Sequence, residues 1–154
     1  MSDPRAAIEQ VYREHRAKLW RSLVAFTGDP DAAEDAVAET FAQALARGDG
    51  VERWDAWVWR TAFRVASGEL GRKERPSAVA EPRSYDLPAP IDHLVQALAQ
   101  LSPKQRLAVL LHDYADRPTE EIAETLGSSR ATVHVHLSQG RRRLRRLLKE
   151  DGDA

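Results

Sequence analysis

The sequence predicts an all-α protein made of two small helical domains, the second a helix-turn-helix, and three observations lead there. Apolar residues recur at helical spacing in every long segment, and no segment shows the alternation of a half-buried strand. Glycine and proline punctuation separates these segments cleanly. A stretch with four prolines in fifteen positions, 76–90, interrupts the helical pattern once and reads as a semi-rigid linker. The domains expected are therefore 1–75 and 91–154. At 154 residues in total, halves of this size are each marginal without a neighbour.

The elements follow in order. Asp3-Pro4 caps a first helix to about Phe26, with Ile8, Val11, Tyr12, Leu19, Leu23 and Phe26 at mostly helical spacing. Thr27-Gly28-Asp29-Pro30 stops it and starts a second, with Asp29 as N-cap and Pro30 in the first turn, running to about Ala46. After the loop Arg47-Gly48-Asp49-Gly50, a third helix spans roughly 53–73. Beyond the linker come a helix near 91–101, one capped by Ser102-Pro103 and reaching Tyr114, a short one over Thr119–Leu126, and a long last helix. Ser128 or Ser129 opens that helix, which runs to about Lys149.

Charge is arranged rather than absent. The net charge is −1, yet residues 141–149 carry six positive charges and no acid, while residues 29–39 carry five acids and no base. A basic stripe is what phosphate binding requires. Zero cysteines remove disulfide scaffolds, thiolate metal sites, iron–sulfur clusters and thiol catalysis. No apolar run approaches the ~18 residues of a membrane span, and Met1-Ser2-Asp3-Pro4-Arg5 leads into mixed charge, so a cytoplasmic chain without membrane insertion is expected. There is no Gly-rich phosphate loop and no Glu-x-x-His pair, so neither an enzyme nor a metal or cofactor site is expected. His134 and His136, two residues apart on one helix, point about 200° from each other and cannot share an ion.

The most specific pattern is TEEIAETLGSSRATVHVHLSQGRRRLRRLL. Ile122, Ala123 and Leu126 face inward, small Ala123 permits a close helix crossing, and Gly127 supplies the turn. Val133 and Leu137 then face inward on the next helix, followed by Leu144, Leu147 and Leu148. A helix-turn-helix of this kind seats its second helix in the DNA major groove. The outward face carries Arg130, Ala131, His134, Val135, Ser138 and Gln139, suited to base edges, with Arg141 and Arg142 placed for phosphates and Thr132 a further candidate for DNA contact. The plain alternative is a two-helix corner with a solvated Arg tail.

Two more segments carry candidate residues. In DPDAAEDAVAETFAQALAR, Ala33, Val37, Phe41, Ala44 and Leu45 form the apolar face, and Asp35 and Glu39 make an acidic stripe at i, i+4. Taken alone, that stripe reads more readily as a solvated face than as a docking surface. In RWDAWVWRTAFRVASGELGRKER, tryptophans interleave with Arg53, Arg60, Arg64, Arg72 and Lys73, a composition suited to stacking separated bases and holding phosphates. Trp57 reads as core, and Trp54 and Trp59 cannot both share its face, so one of them is expected to be exposed.

Together, GDPDAAEDAVAETFAQAL, WDAWVWRTAFRVA, the proline-rich linker and the long C-terminal block resemble the extracytoplasmic-function (ECF) sigma factors of bacterial RNA polymerase over roughly residues 7–149. The resemblance implies an all-helical initiation factor that binds core polymerase through Asp35, Glu39, Thr40 and Phe41, docking on the clamp helices of the largest subunit. It implies −10 strand capture by the Trp helix, here Arg53, Trp54, Arg60, Arg64, Arg72 and Lys73, and −35 duplex reading by the helix-turn-helix, whose domain also docks on the polymerase flap. Promoter DNA and core polymerase are the partners implied, with an anti-sigma protein as a further candidate. The rival reading is a helix-turn-helix regulator whose N-terminal half dimerises or senses a ligand.

Overall fold

A computed structural model describes residues 3–73 and 89–152, with side chains over 3–68 and 91–150. Its elements are α1 (Pro4–Thr27), α2 (Pro30–Arg47), α3 (Trp54–Lys73), α4 (Ala89–Ala99), α5 (Pro103–Val109), a π turn (Leu110–Tyr114), α6 (Thr119–Leu126) and α7 (Arg130–Gly152). No strand occurs among the described residues. The linker expected over 76–90 lies outside the described residues except for its last two. Ala89 and Pro90 already belong to α4, because proline is tolerated in a first helical turn where its missing N–H is not needed.

Local chemistry sets the breaks. The Asp3 carboxylate accepts from the Arg5 amide to start α1, and Gly28, at φ 71°, ends it with its N–H donated to the Val24 carbonyl. The Asp29 carboxylate accepts from the amides of Asp31 and Ala32 at 2.9 and 3.3 Å, so only two residues separate α1 from α2. Ser102 and Gln105 form a reciprocal capping box at the start of α5. At the start of α7 the structure selects Ser129 as the cap, its hydroxyl accepting from the Thr132 amide at 3.1 Å.

Helices α1, α2 and α3 pack against one another, while α5, α6 and α7 form the helix-turn-helix unit. In the first group Phe26 and Phe63 meet edge-on at 5.3 Å, and Trp59 stacks on Phe63 at 6.2 Å. Side chains of this size, fully buried, are each worth roughly 1.5–3 kcal/mol relative to exposure. In the second group Ile122, Val133 and Leu137 are buried and Leu144 packs against the same core. Leu148, expected to face inward, is instead exposed.

The halves also pack on each other: α3 lies against α6, and α1 lies against α4 and the π turn. One guanidinium secures much of this. Arg106, only 5% exposed, donates to the carbonyls of Leu98 and Ala99 at the end of α4, to that of Leu101 just beyond it and to that of Phe26 at the end of α1. Carbonyls at helix C-termini lack intrahelical donors, so a single cation here satisfies two helix ends at once.

The expected helix to Tyr114 changes character at Leu110. The Ala115 amide bonds to the Leu110 carbonyl at 2.9 Å and the Arg117 amide to the Leu111 carbonyl at 2.8 Å. This wider turn brings Tyr114 within 3.0 Å of Arg21 Nε on α1 and Asp113 against Arg141 on α7.

Gly140 marks where α5 crosses α7. A Cβ there would stand 2.9 Å from Val109 Cγ2 and 3.3 Å from the Gln105 carbonyl oxygen. Gly140→Leu is therefore expected to destabilise the chain by about 1–3 kcal/mol through overpacking, read from urea unfolding followed by circular dichroism, with α7 displaced from α5. Unchanged stability would show that the crossing has slack.

Candidate nucleic-acid interface

The recognition helix presents the face that its spacing predicts. Arg130, Ala131, His134, Val135, Ser138 and Gln139 are exposed on α7, and Thr132 is half-buried beside its cap. Gly127, at φ 66° and ψ 38°, makes the turn, and the Ser128 amide bonds back to the Ala123 carbonyl at 3.0 Å. The turn thus fixes α7 against α6 through backbone geometry as well as packing. Gln139 accepts from Gln105 Nε2 at 3.3 Å, so its amide is oriented by the same glutamine that caps α5.

The basic extension divides into two kinds of arginine. Arg141 is held by Asp113 and by His112 Nδ1, the latter at 3.0 Å. The hydrogen bond from Arg141 holds the Asp113 carboxyl below its ordinary value of 3.8, against the opposing effect of partial burial, and His112 adds to the lowering. Arg142, Arg143 and Arg146 instead line an open groove along α7 with Gln139 and Glu150. Arg142 is thus presented to solvent in the way a phosphate contact needs, whereas Arg141 braces the helix.

On the N-terminal half, Asp35 and Glu39 are exposed on α2, with Glu39 accepting from Gln43 Nε2 at 2.8 Å. Thr40 and Phe41 are not surface groups. Thr40 is fully buried with its hydroxyl donated to the Ala36 carbonyl at 2.7 Å, and Phe41 meets Tyr12 edge-on at 5.0 Å. They fix the helix from below, because they fall on the apolar stripe shared with Val37 and Ala44.

The tryptophans of α3 correct a sequence expectation. Trp54 and Trp59 are both buried, at 8% and 1% exposure, and Trp57 is half-buried against Trp54 at 5.3 Å. Neither Trp54 nor Trp59 is exposed, because α3 is covered on more than one side. Trp59 Nε1 donates to His15 on α1 at 3.1 Å, and the Arg117 guanidinium from the other half lies 5.4 Å over its ring. The cations around them are engaged too. Arg53 pairs with Asp55 at 3.1 Å, Arg60 with the Glu124 carboxylate at 3.0 Å, and Arg64 donates to the Glu124 carbonyl at 2.8 Å. Arg53, Trp57 and Arg60 line one wall of a groove of about 380 Å³, and Glu120 and Glu124 of α6 line the other. Arg72 and Lys73 belong to α3, but their side chains lie outside the described residues.

Several functional residues escaped the sequence reading: Arg106, Arg117, Glu121 and Glu124. Arg106 stands between polar Gln105 and the apolar run Leu107–Leu111 and gives no signal of its own, whereas Arg117 and Glu121 stand at the i, i+4 spacing of a salt bridge, a signal that was present. Arg117 pairs with Glu121 at 2.6 Å and reaches Asp55 at 3.1 Å. Partial burial pushes the Asp55 carboxyl upward, but the hydrogen bond from Arg117, that from the Ala56 amide and the charges of Arg53 and Arg117 outweigh it and hold it below 3.8.

Comparison with known proteins agrees with this geometry. Residues 91–144 match the family described as sigma-70, region 4. The ECF RNA polymerase sigma factor SigL of Mycobacterium tuberculosis is 31% identical over 96% of this chain and 92% of its own. The RNA polymerase sigma-E factor of Streptomyces antibioticus is 28% identical over 92% and 84%. Among solved structures, the sigma factor RpoE of Bartonella quintana, in complex with the anti-sigma factor NepR, superposes with a TM-score of 0.71 at 25% identity, covering 92% of this chain and 96% of that one. CnrH, in complex with the cytosolic domain of CnrY, shares the fold with a TM-score of 0.74 at 22% identity over 96% and 90%.

An all-helical protein with a helix-turn-helix in its C-terminal half is what the fold defines. The chain belongs to the ECF sigma factors of bacterial RNA polymerase, and as such it is a transcription initiation factor that binds core enzyme, recognises promoter DNA and promotes strand opening. No helix among the described residues is long and apolar enough to cross a membrane.

The depressed carboxyls give a pH signature. A carboxyl held below its unfolded value contributes stability that is fully present above that value and is lost as pH falls through the folded one. Stability is therefore expected to fall steeply below about pH 4, and thermal unfolding of Asp55→Asn should show a shallower acid limb than the wild-type chain. Parallel acid limbs would remove Asp55 from the balance.

Proposed function

We propose a division of labour in which residues 1–75 grip core polymerase and hold the separated −10 strand, residues 76–90 link, and residues 91–154 read the −35 element as duplex. The observation that carries this reading is the segregation of charge: exposed acids on α2, exposed cations on α7 and an outward recognition face between. The polymerase contact falls to Asp35 and Glu39, with Thr40 and Phe41 fixing the helix that presents them. The separated strand falls to Arg53, Arg60 and Arg64, with Arg72 and Lys73 extending the cationic run and Trp54 supporting it from the core.

At the −35 element, His134, Ser138 and Gln139 address base edges by hydrogen bonds, and Ala131 and Val135 offer apolar contact to thymine methyls. Arg130, Thr132 and Arg142 position the helix on the backbone, and Arg141, engaged by Asp113, braces α7 rather than reaching a phosphate. The protein carries out no catalysis of its own, needs no cofactor or metal and works in the cytoplasm, where core enzyme and promoter are. An anti-sigma protein is a fitting further partner, because the solved relative RpoE was captured with one.

Two measurements test this. Glu39→Lys is expected to cut retention of the chain on core polymerase at least roughly tenfold by placing like charge at the contact, while far-UV circular dichroism stays unchanged; full retention refutes the acidic-face assignment. Arg142→Ala is expected to weaken duplex binding to all sequences alike and to lower the slope of log K against log salt by about 1. An unchanged slope takes Arg142 off the backbone.

A further inference from the structure

We infer that Gln105, at the start of α5, is a positioning residue for base recognition: it fixes which end of the Gln139 amide faces the DNA, and so which base that side chain can read. The inference rests on the placement of Gln139 at base edges proposed above. Gln139 is exposed on the outward face of α7, while Gln105 is half-buried with both ends of its side-chain amide engaged.

The orientation follows from a series of groups that can only donate. A backbone N–H has no acceptor capacity, so the Ser102 amide, at 3.2 Å, must meet the oxygen of the Gln105 side chain. Gln105 Nε2 is then the other end, and an amide nitrogen likewise only donates. It lies 3.3 Å from the Gln139 side chain, which must therefore turn its carbonyl oxygen toward α5. The Gln139 amide nitrogen is the end left for DNA, and it has no acceptor among the described residues.

Two further features hold this relay in place. The Ser102 hydroxyl accepts from the Gln105 amide at 3.2 Å, so one capping box ties the glutamine at both backbone and side chain. Gly140, next to Gln139, lets α7 come so near that a Cβ there would stand 3.3 Å from Gln105 Cβ. That close approach keeps the two amides within reach of each other.

The consequence is a base preference. An unconstrained glutamine pairs with adenine through N6 and N7, using its oxygen and its nitrogen together. Here the oxygen is taken, so the two N–H groups of Nε2 suit a base that presents acceptors to the major groove, guanine above all through O6 and N7. Adenine places an N6 donor where guanine places O6, and the Gln139 nitrogen cannot accept from it. A helix cap outside the recognition helix thereby selects the base that the recognition helix reads.

The test uses the full chain assembled with core polymerase and a pool of double-stranded templates randomised upstream of a fixed transcribed segment, with sequencing of the templates that give RNA. Gln139→Ala locates the base that residue 139 reads, as the −35 position where preference is lost. There the wild-type chain is expected to favour guanine over adenine at least about fivefold. Gln105→Glu keeps the capping box, because a carboxylate accepts from the Ser102 amide as glutamine does, yet it has no proton to donate. Its second oxygen draws the Gln139 nitrogen toward α5 and turns the Gln139 oxygen to the DNA. The preference is then expected to pass from guanine to adenine by a similar factor. The added negative charge lowers activity on every template alike and leaves the ranking of bases untouched, so a merely structural role would not produce the switch.

Gln105→Met checks the relay a second way. The Ser102 hydroxyl still accepts from the amide of residue 105, but nothing orients Gln139, and guanine and adenine should be used within about twofold of each other. Should Gln105→Glu lose its helical circular dichroism, Gln105→Met carries the test alone. An unchanged guanine preference in either folded variant overturns the relay while leaving Gln139 at its base, and so does a wild-type preference for any base other than guanine at that position. If Gln139→Ala alters no base preference, Gln139 reads no base, and its placement fails together with the relay.

Discussion

Two arginines of the C-terminal half, Arg106 and Arg117, find acceptors on the N-terminal half, and the packing of the two halves on each other rests on them. Arg106 joins the ends of α1 and α4 by donating to carbonyls from both. Arg117 joins α3 to α6 by pairing with Asp55 and Glu121 and lying over Trp59. Removing one partner from a buried charge pair leaves the other uncompensated, at a cost of several kcal/mol. The halves are therefore coupled by groups that are expensive to leave alone. That coupling brings the acidic side of α6 onto α3.

The same arrangement explains why a chain of net charge −1 can bind a polyanion. Acids on α2 and cations on α7 belong to different faces, so the sum is near zero while each local field is strong. Acids on α6 and next to Arg141 answer particular cations within the fold. What remains open to solvent along α7, including Arg142, Arg143 and Arg146, is the portion that an external backbone can neutralise.

Much of this was legible in the sequence, for physical reasons specific to each element. Thr119–Leu126 was readable to the residue because Pro118 and Gly127 fix both ends, and the outward face of α7 followed from Val133 and Leu137 alone. Site residues governed by one helix's periodicity were therefore recoverable. What depends on a second element was not. Trp54 and Trp59 are both buried because α3 is covered on more than one side, whereas the place of Phe41 beneath the acidic face was already carried by α2's own apolar stripe. The π turn at Leu110 goes with tertiary contacts through Tyr114 and Asp113, for which local propensity carries no signal. Glu124 in the sequence is an ordinary surface acid; only the packing of α6 on α3 makes it a ligand for two arginines.

The central claim is that the exposed acids of α2 meet core polymerase while the outward face of α7 meets promoter duplex, so that the two halves are held at separate places in the complex. Because the chain has no cysteine, two can be introduced for spin labels without background, at Ala42 on α2 and Arg145 on α7. The most direct measurement is the label-to-label distance by pulsed electron paramagnetic resonance, in the free chain and in its complex with core polymerase and promoter. The account predicts one narrow, short distribution for the free chain and a clearly longer one in the complex. The same distance in both states would contradict it.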